Sequence, residues 1–164
     1  PFFATRARPD HLVIVGGGPI GMEMAQAHAR LGSAVTVLER STVLPKDDPE
    51  LRDVVKASLT SDGVVLREGV EVSSAAKTER GIAVIVDTSA GTERIEGSHL
   101  LVATGRKPNL EGLDLEAAGI AYDRSGITID ARMRTSNKKA FAIGDVAGGM
   151  QFTHVAGYHA SAIP

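Results

Sequence analysis

Three consecutive glycines at residues 16–18 follow directly after a short β-branched run, and they constrain the fold more than any other feature of the chain. The run His11–Val15 (HLVIV) predicts a buried strand. Over residues 19–31 the apolar positions recur with a helical period, and Gly32 follows, where a helix commonly ends. A second apolar run occupies residues 34–38. This order predicts a βαβ unit with two parallel strands and a right-handed crossover.

Both helices of this region have a predicted apolar face. In the first helix that face contains Ile20, Met24, Ala27 and Leu31. Asp48 can cap a second helix, and Pro49 suits its first position because the missing N–H costs nothing there. The predicted buried face of the second helix contains Leu51, Val54, Val55 and Leu59. Residues 64–67 (VVLR) then predict a third parallel strand.

The pattern changes from helical to strand-like beyond residue 70. Residues 70–96 contain β-rich runs separated by the turn signals ERG and SAG, which predict a small antiparallel meander. Residues 99–103 predict another buried strand, and residues 126–130 and 141–143 predict two later short strands. We therefore predict an α/β fold, a Rossmann-like three-layer domain with a central parallel sheet and a small antiparallel β-meander as one crossover.

Residues 16–21 (GGGPIG) match the GxGxxG pattern in the strand-to-helix context that a dinucleotide-binding turn requires. Gly16 permits the tight turn, Gly18 lets backbone amides approach a pyrophosphate, and Gly21 lets the helix lie close to the strand. The helix N-terminus would direct its N–H groups at the phosphates, and Pro19 suits its first turn. A plain strand-to-helix turn is the alternative interpretation.

An acid follows the second strand. Glu39 lies 18 residues after Gly21, where a carboxylate accepts both ribose hydroxyls of an adenosine and repels a 2′-phosphate. This position favours NAD over NADP. The adjacent Arg40 could tolerate the phosphate, although a surface role is the simpler interpretation of that residue.

The composition excludes several kinds of chemistry. The 164 residues include no cysteine, which excludes a thiolate nucleophile, a CxxC pair and a Cys-ligated metal site. A net charge of −2 and 4% aromatic residues argue against a nucleic-acid surface. No apolar run reaches the length of about 18 residues that spans a membrane, and the N-terminus lacks a signal-peptide pattern. His154 and His159 are poorly spaced for a shared metal ion. We expect a soluble, cytoplasmic chain without a metal site.

Four sequence blocks point to a known family: HLVIVGGGPIGMEMAQAHARLGSAVTVLER, LLVATGRKPN, FAIGDVAGG and FTHVAGYHA. Their order and spacing, over nearly the whole chain, resemble the pyridine nucleotide-disulfide oxidoreductases. These are two-dinucleotide flavoproteins such as dihydrolipoamide dehydrogenase, glutathione reductase and mercuric reductase. The first block is most similar to the dihydrolipoamide dehydrogenase and mercuric reductase branch. Pro19 departs from the aromatic residue that relatives often have after the second glycine, so gating by a tyrosine is not available here.

The resemblance implies an NAD-binding domain that positions nicotinamide for hydride transfer to FAD. It assigns the pyrophosphate to the glycine turn and the adenosine ribose to Glu39, and it places Glu23 near the nicotinamide. Residues 103–106 would pass beside that ring, while Asp145 would bind an FAD ribityl hydroxyl and the helix containing His154 would face the flavin. The implied cofactor-binding residues are Gly16, Gly18, Pro19, Ile20, Gly21, Glu23, Glu39, Arg40, Ala103, Thr104, Gly105, Arg106, Gly144, Asp145 and His154. None of the residues is assigned a catalytic role.

The resemblance also implies a longer parent protein. Residues 1–143 would form the NAD(P)-binding domain with a short N-terminal lead, and residues 144–164 would begin a returning FAD-domain segment. The parent would be a homodimer, and its redox cysteine pair would lie outside this chain. The chain alone would be inactive, and residues 144–164 would be mobile or packed non-natively.

Alternative functions fit the same motifs. The parent could be a flavin reductase that feeds ferredoxin or oxygen, which a CxxxxC pair in its N-terminal half would decide. A non-enzymatic NAD-binding module is a further alternative. A methyltransferase with a similar glycine turn leaves ATGRKPN and AIGDV without a role.

Overall fold

The computed structural model describes residues 5–163, which separate into two compact units at the bond between Gly105 and Arg106. The first unit contains the GxGxxG turn, and the second contains the FAIGDVAGG and FTHVAGYHA blocks. The domain bounds predicted above, at residue 143, stay a prediction.

The first unit is built on a parallel sheet. Its elements are β1 (His11–Val15), α1 (Pro19–Arg30), β2 (Ala34–Glu39), α2 (Pro49–Ser61), β3 (Val64–Glu68), β4 (Glu71–Thr78), β5 (Gly81–Thr88), β6 (Gly91–Gly97) and β7 (His99–Val102). Within residues 5–105 the central sheet has the order β3-β2-β1-β7, and every neighbouring pair is parallel. β4, β5 and β6 form an antiparallel sheet. The predicted α/β, Rossmann-like fold with a β-meander crossover is confirmed.

The alternation of side chains along β1 explains the three layers. Leu12 and Ile14 point to one face of the sheet and pack with the helices, where Leu59 of α2 joins them. Val13 points to the other face and packs with Val84 of the meander. Because both faces of the strand are covered, its residues 12–15 are all apolar, as is usual for parallel sheets.

The buried face of α1 differs from the prediction. Its buried residues are Gly21, Met22 and Ala25, whereas Ile20 is exposed and Leu31 is 68% exposed. Gly21 allows the helix backbone to approach the strand closely, so the buried face contains the small Gly21 and Ala25 beside Met22. Apolar periodicity alone does not detect a contact face in which two of the three buried residues are glycine and alanine.

The prediction for α2 is also largely wrong. Leu59 is buried, but Leu51 is 67% exposed, and Val54 and Val55 are exposed as well. The C-terminal end of α2 is fixed to α1, because Gln26 donates hydrogen bonds to Asp62 (2.8 Å) and to a serine of the last turns. The packing contact is therefore made by the last turns of the helix. Asp48 caps its N-terminus as predicted, accepting from the Glu50 amide at 2.9 Å.

The second unit contains a short hairpin, β8 (Tyr122–Asp123) and β9 (Gly126–Ile127), a 3-10 helix (Gly144–Ala147) and α3 (Thr153–Ser161). The predicted strand at 126–130 shortens to β9, and the one at 141–143 is reduced to a single bridge between Phe141 and Arg134. These strands are short because the unit has a small core, formed around Leu115, Ile127 and Ala142.

The C-terminal segment contacts its own unit. α3 packs on the 3-10 helix, and the Gly144 amide donates a hydrogen bond to His159 Nδ1 at 3.2 Å. Phe152 and Tyr158 are exposed. The expected mobility of this segment stays a prediction. No helix within residues 5–163 combines the length and the apolar character needed to cross a membrane.

Candidate functional site

The strand order places a crevice at the carboxyl ends of β1 and β7. From β1 the chain passes through α1 to β2 on one side, and from β3 it passes through the meander to β7 on the other side. Crossovers that leave a parallel sheet in opposite directions open a crevice beyond the strand ends, and ligands bind there in open α/β folds. The glycine turn follows β1 at this point.

The glycines of the turn fall into two physical classes. A Cβ on Gly21 would lie 2.1 Å from the Gly16 carbonyl oxygen, and a Cβ on Gly16 would lie 2.6 Å from that of Ala103. Gly16 also has φ +113°, which disfavours other residues. Around Gly18, in contrast, a Cβ would meet no atom within 4 Å. Two glycines therefore serve close packing, and the third faces open space.

The N-terminus of α1 begins at that open space. Gly18 precedes the helix in an extended conformation and makes no side-chain cap, and Pro19 occupies the first helical position. No acidic residue lies in the first turn. Among the described side chains none caps this positive helix end, which suits an anionic group such as a phosphate.

Glu39, at the end of β2, is bound to the glycine turn. Its carboxylate accepts hydrogen bonds from the Gly17 amide (2.7 Å) and from the amide and hydroxyl of Ser41 (2.9 and 3.0 Å). Partial burial opposes ionisation, but these hydrogen bonds outweigh it and hold the pKa of Glu39 below its usual value. Glu39 is therefore an ionised acceptor in a defined position.

Gly17 is a site residue that the motif did not identify. Its amide donates to Glu39 at the end of β2, and its carbonyl accepts from the Leu44 amide at 2.8 Å, in the segment that follows β2. A Cβ on Gly17 would lie 2.8 Å from Val43 Cγ1 and 2.9 Å from Glu39 Cγ. The signal in the sequence is a third glycine at a position where GxGxxG accepts any residue.

Glu68, at the end of β3, was also missed. The β2–β3 register places it beside Glu39, and its carboxylate accepts from Thr42 Oγ1 (2.6 Å), the Val43 amide (2.8 Å) and Lys56 Nζ (2.6 Å). Partial burial opposes ionisation, but the hydrogen bonds and the Lys56 charge outweigh it and lower the pKa of Glu68 to about 2. The sequence offers no pattern that reveals this pairing before the strand register is known.

The low pKa of Glu68 makes the stability of the chain depend on pH in the acidic range. The carboxyl ionises near 4.5 when unfolded and near 2 when folded, so its contribution is complete above about pH 4.5 and is lost as the pH falls towards 2. At pH 6 the free energy of unfolding of wild type should exceed that of Glu68→Gln by about 1 kcal/mol. The difference is no larger because the ion pair is partly open to solvent. Urea unfolding of both proteins at several pH values measures this difference. A difference that stays constant from pH 6 to pH 2.5 would contradict the assignment.

The end of β7 closes the other side of the crevice. The Ala103 amide donates to the Val15 carbonyl at 2.7 Å, and the backbone of Ala103 and Thr104 lies against Gly16. Glu23 and Arg40 are exposed. The first unit therefore brings together the glycine turn, Glu39, Ala103 and Thr104.

The remaining predicted residues lie in the second unit. The Arg106 guanidinium donates to the Gln151 carbonyl and lies over the Phe152 ring, 5.7 Å from its centroid. The His154 ring stacks on the same phenylalanine at 5.4 Å. Arg106, Phe152 and His154 thus form one exposed stack at the start of α3.

Gly144 and Asp145 begin the 3-10 helix of this unit. Gly144 has φ +68°, and Asp145 is exposed, with its carbonyl accepting from the Gly148 amide at 3.1 Å. Within residues 5–163 no cluster of three His, Cys, Asp or Glu side chains could hold a metal ion.

A protein-family model matches almost the whole chain. The model described as "Pyridine nucleotide-disulphide oxidoreductase" covers residues 2–160. Among curated proteins, the mercuric reductase of Lysinibacillus sphaericus is 40% identical over 94% of this chain and 29% of its own length. The dihydrolipoyl dehydrogenase of Thermus scotoductus is 38% identical over 90% of this chain and 33% of its own length.

Solved structures give the same picture. The HOCl-induced flavoprotein disulfide reductase RclA of Escherichia coli, as a Cu(II) complex, superposes with a TM-score of 0.88 at 32% identity, covering 99% of this chain and 37% of RclA. LpdA of Mycobacterium tuberculosis superposes with a TM-score of 0.86 at 33% identity, covering 98% of this chain and 35% of LpdA. The chain thus spans about a third of the length of the proteins that it matches.

Proposed function

Because the chain belongs to the pyridine nucleotide-disulphide oxidoreductase family, we propose that it binds NAD(H) and positions the nicotinamide for hydride transfer to a flavin. One observation carries the proposal: the open space at Gly18 lies in a turn held by the close-packed Gly16 and Gly21, and the neighbouring Gly17 amide donates to the ionised Glu39. Close-packed glycines hold the turn, and the open one leaves room for a pyrophosphate.

The proposed contacts run from the adenosine end to the nicotinamide end. Glu39 binds the adenosine ribose with Arg40 beside it, and the pyrophosphate lies against the turn and the start of α1, that is Gly16, Gly18, Pro19, Ile20 and Gly21. Glu23 and residues 103–105 lie along the nicotinamide. This assignment is supported by the position of Ala103 against Gly16, because the glycine turn and the end of β7 line one crevice.

The proposed preference for NAD over NADP depends on the charge of Glu39. A fixed carboxylate accepts hydrogen bonds from the two ribose hydroxyls and repels a 2′-phosphate. The hydrogen bonds from Gly17 and Ser41 keep this carboxylate ionised and in place. The preference therefore requires both an acidic residue at this position and hydrogen bonds that keep its carboxylate ionised and in place.

The second unit would serve the flavin. In this proposal Gly144 and Asp145 contact the ribityl chain of FAD, and the start of α3, with His154, faces the isoalloxazine. Arg106 continues the segment 103–105 that passes beside the nicotinamide. NAD(H) and FAD would supply the hydride chemistry, and the residues of this chain would bind, orient and exclude water. We place the domain boundary near residue 143, and a cytoplasmic homodimeric parent completes the proposal.

Glu39→Gln tests the assignment of the adenosine ribose. The variant keeps the shape of the side chain and loses its charge, so the affinity for NADH should fall about tenfold while the affinity for NADPH should not fall. Isothermal titration of the 164-residue chain with both nucleotides measures the ratio directly.

The ratio of the two affinities is an internal control, because partial unfolding would weaken the binding of both nucleotides equally. An equal loss for NADH and NADPH would contradict the role of Glu39. Absence of NADH binding to the folded wild type at millimolar nucleotide would overturn the proposed function itself.

A further inference from the structure

The segment that follows β2, residues 40–47, is held at both sides by hydrogen bonds. On one side Glu68 accepts from Thr42 Oγ1 and from the Val43 amide, both on its Oε1 atom. On the other side the Leu44 amide donates to the Gly17 carbonyl. The segment therefore connects the end of β3 to the glycine turn, across the end of β2.

Packing reinforces this connection. Val43 is buried, with 1% of its surface exposed, and its Cγ1 atom occupies the space in which a Gly17 side chain would lie. Leu44 has φ +49°, a conformation that non-glycine residues rarely adopt and that needs support from surrounding contacts. The hydrogen bonds of Glu68 to the two preceding residues provide that support.

Lys56 completes the arrangement from α2. Its ammonium group lies 2.6 Å from Glu68 Oε2 and leaves Oε1 for the segment. A neighbouring ion pair differs in this respect: Arg67 and Glu93 lie 2.9 Å apart, and Glu93 accepts from no residue of the segment. The two pairs are adjacent on β3, but Glu68 is the one joined to the glycine turn.

We propose that Glu68 is a positioning residue for the adenosine side of the nucleotide site, which it orders by fixing residues 42–44 against Gly17. The inference rests on the proposed function, because it concerns the same nucleotide. It adds a residue at the end of β3, outside the GxGxxG motif and the acid at Glu39. Glu68 acts through the segment and has no contact of its own with the ribose.

Glu68→Ala tests the inference in the 164-residue chain. The variant should bind NADH and ADP-ribose more weakly by the same factor, about fivefold, because the lost interaction concerns the adenosine half that both ligands share. Amide hydrogen exchange at Gly17, Val43 and Leu44 should become about tenfold faster in the free protein. Glu93→Gln is the matched control, and it should change neither affinity nor exchange at these amides.

A double variant separates positioning from charge. Glu68→Gln combined with Lys56→Met removes both charges but keeps an oxygen acceptor for Thr42 and Val43. It should retain NADH affinity within about twofold of wild type, as rescue by a conservative replacement requires. A general loss of stability would not be rescued in this way.

The outcomes are distinguishable. Unchanged NADH affinity in folded Glu68→Ala would overturn the inference, and so would unchanged exchange at Leu44, or a loss for NADH without an equal loss for ADP-ribose. Each of these results leaves the proposed function intact when wild type binds NADH. Wild type that binds neither ligand would overturn the proposed function and the inference together.

Discussion

Gly21→Ala is expected to lower the free energy of unfolding by about 3 kcal/mol and to abolish measurable NADH binding. The added Cβ would lie 2.1 Å from the Gly16 carbonyl oxygen, a distance that no real Cβ contact shows. The nearby atom belongs to the backbone of a turn that is itself bound to Leu38 (2.9 Å), so a small shift does not relieve the clash. Urea unfolding followed by circular dichroism measures the loss.

Gly18→Ala is the matched control for this variant. A Cβ there meets no atom within 4 Å, and Gly18 has ordinary extended dihedral angles, so stability should stay within about 0.5 kcal/mol of wild type. The methyl group would still occupy the space assigned to the pyrophosphate, and NADH affinity should fall at least about tenfold. Equal stability of the Gly18 and Gly21 variants would show that the close contact of α1 with the turn is wrong.

Leu59→Ala is the second prediction with a large effect, about 3 kcal/mol of unfolding free energy. Leu59 is 1% exposed and packs in the cluster around Leu12 and Ile14, so truncation leaves a cavity beneath α2. The same substitution at Leu51, on the same helix, removes a side chain that is 67% exposed, and should change stability by less than about 0.5 kcal/mol.

This pair of leucines tests which end of α2 packs on the sheet. Urea midpoints of the two variants, measured under identical conditions, give the comparison without a ligand. Similar losses for Leu51→Ala and Leu59→Ala would support the apolar stripe predicted from periodicity and would contradict the observed burial.

The strand and turn pattern was predictable because each signal is local. The β-branched residues of His11–Val15, the glycines and the acid at Glu39 follow one another within 30 residues, and each has a direct conformational cause. The same holds for the meander, where ERG and SAG mark the turns on either side of β5. Spacing of such signals is enough to assign parallel and antiparallel regions.

The helix faces were not predictable in the same way. In α1 the sheet contacts Gly21 and Ala25, whose small side chains contribute little to an apolar pattern, while Leu31 points to solvent. Which stripe faces the sheet depends on how closely the two backbones approach, and that is a tertiary property.

The contacts of the site depended on register. Glu68 neighbours Glu39 because β2 and β3 pair in one particular alignment, and nothing in the order of residues indicates it. The need for glycine at position 17 likewise becomes clear only when the position of Val43 is known. Motifs identified the backbone of the candidate site, whereas its supporting side chains became visible with the three-dimensional arrangement.

The hydrogen bond from the Gly17 amide to Glu39 has a consequence for engineering cofactor preference. A basic residue at position 39, chosen to bind a 2′-phosphate, would leave the buried Gly17 amide without its acceptor and would loosen the turn. Redesign towards NADP should therefore begin from a second substitution that supplies a new oxygen to Gly17. In the proposed site one carboxylate both selects the nucleotide and holds the glycine turn, so the two properties must be changed together.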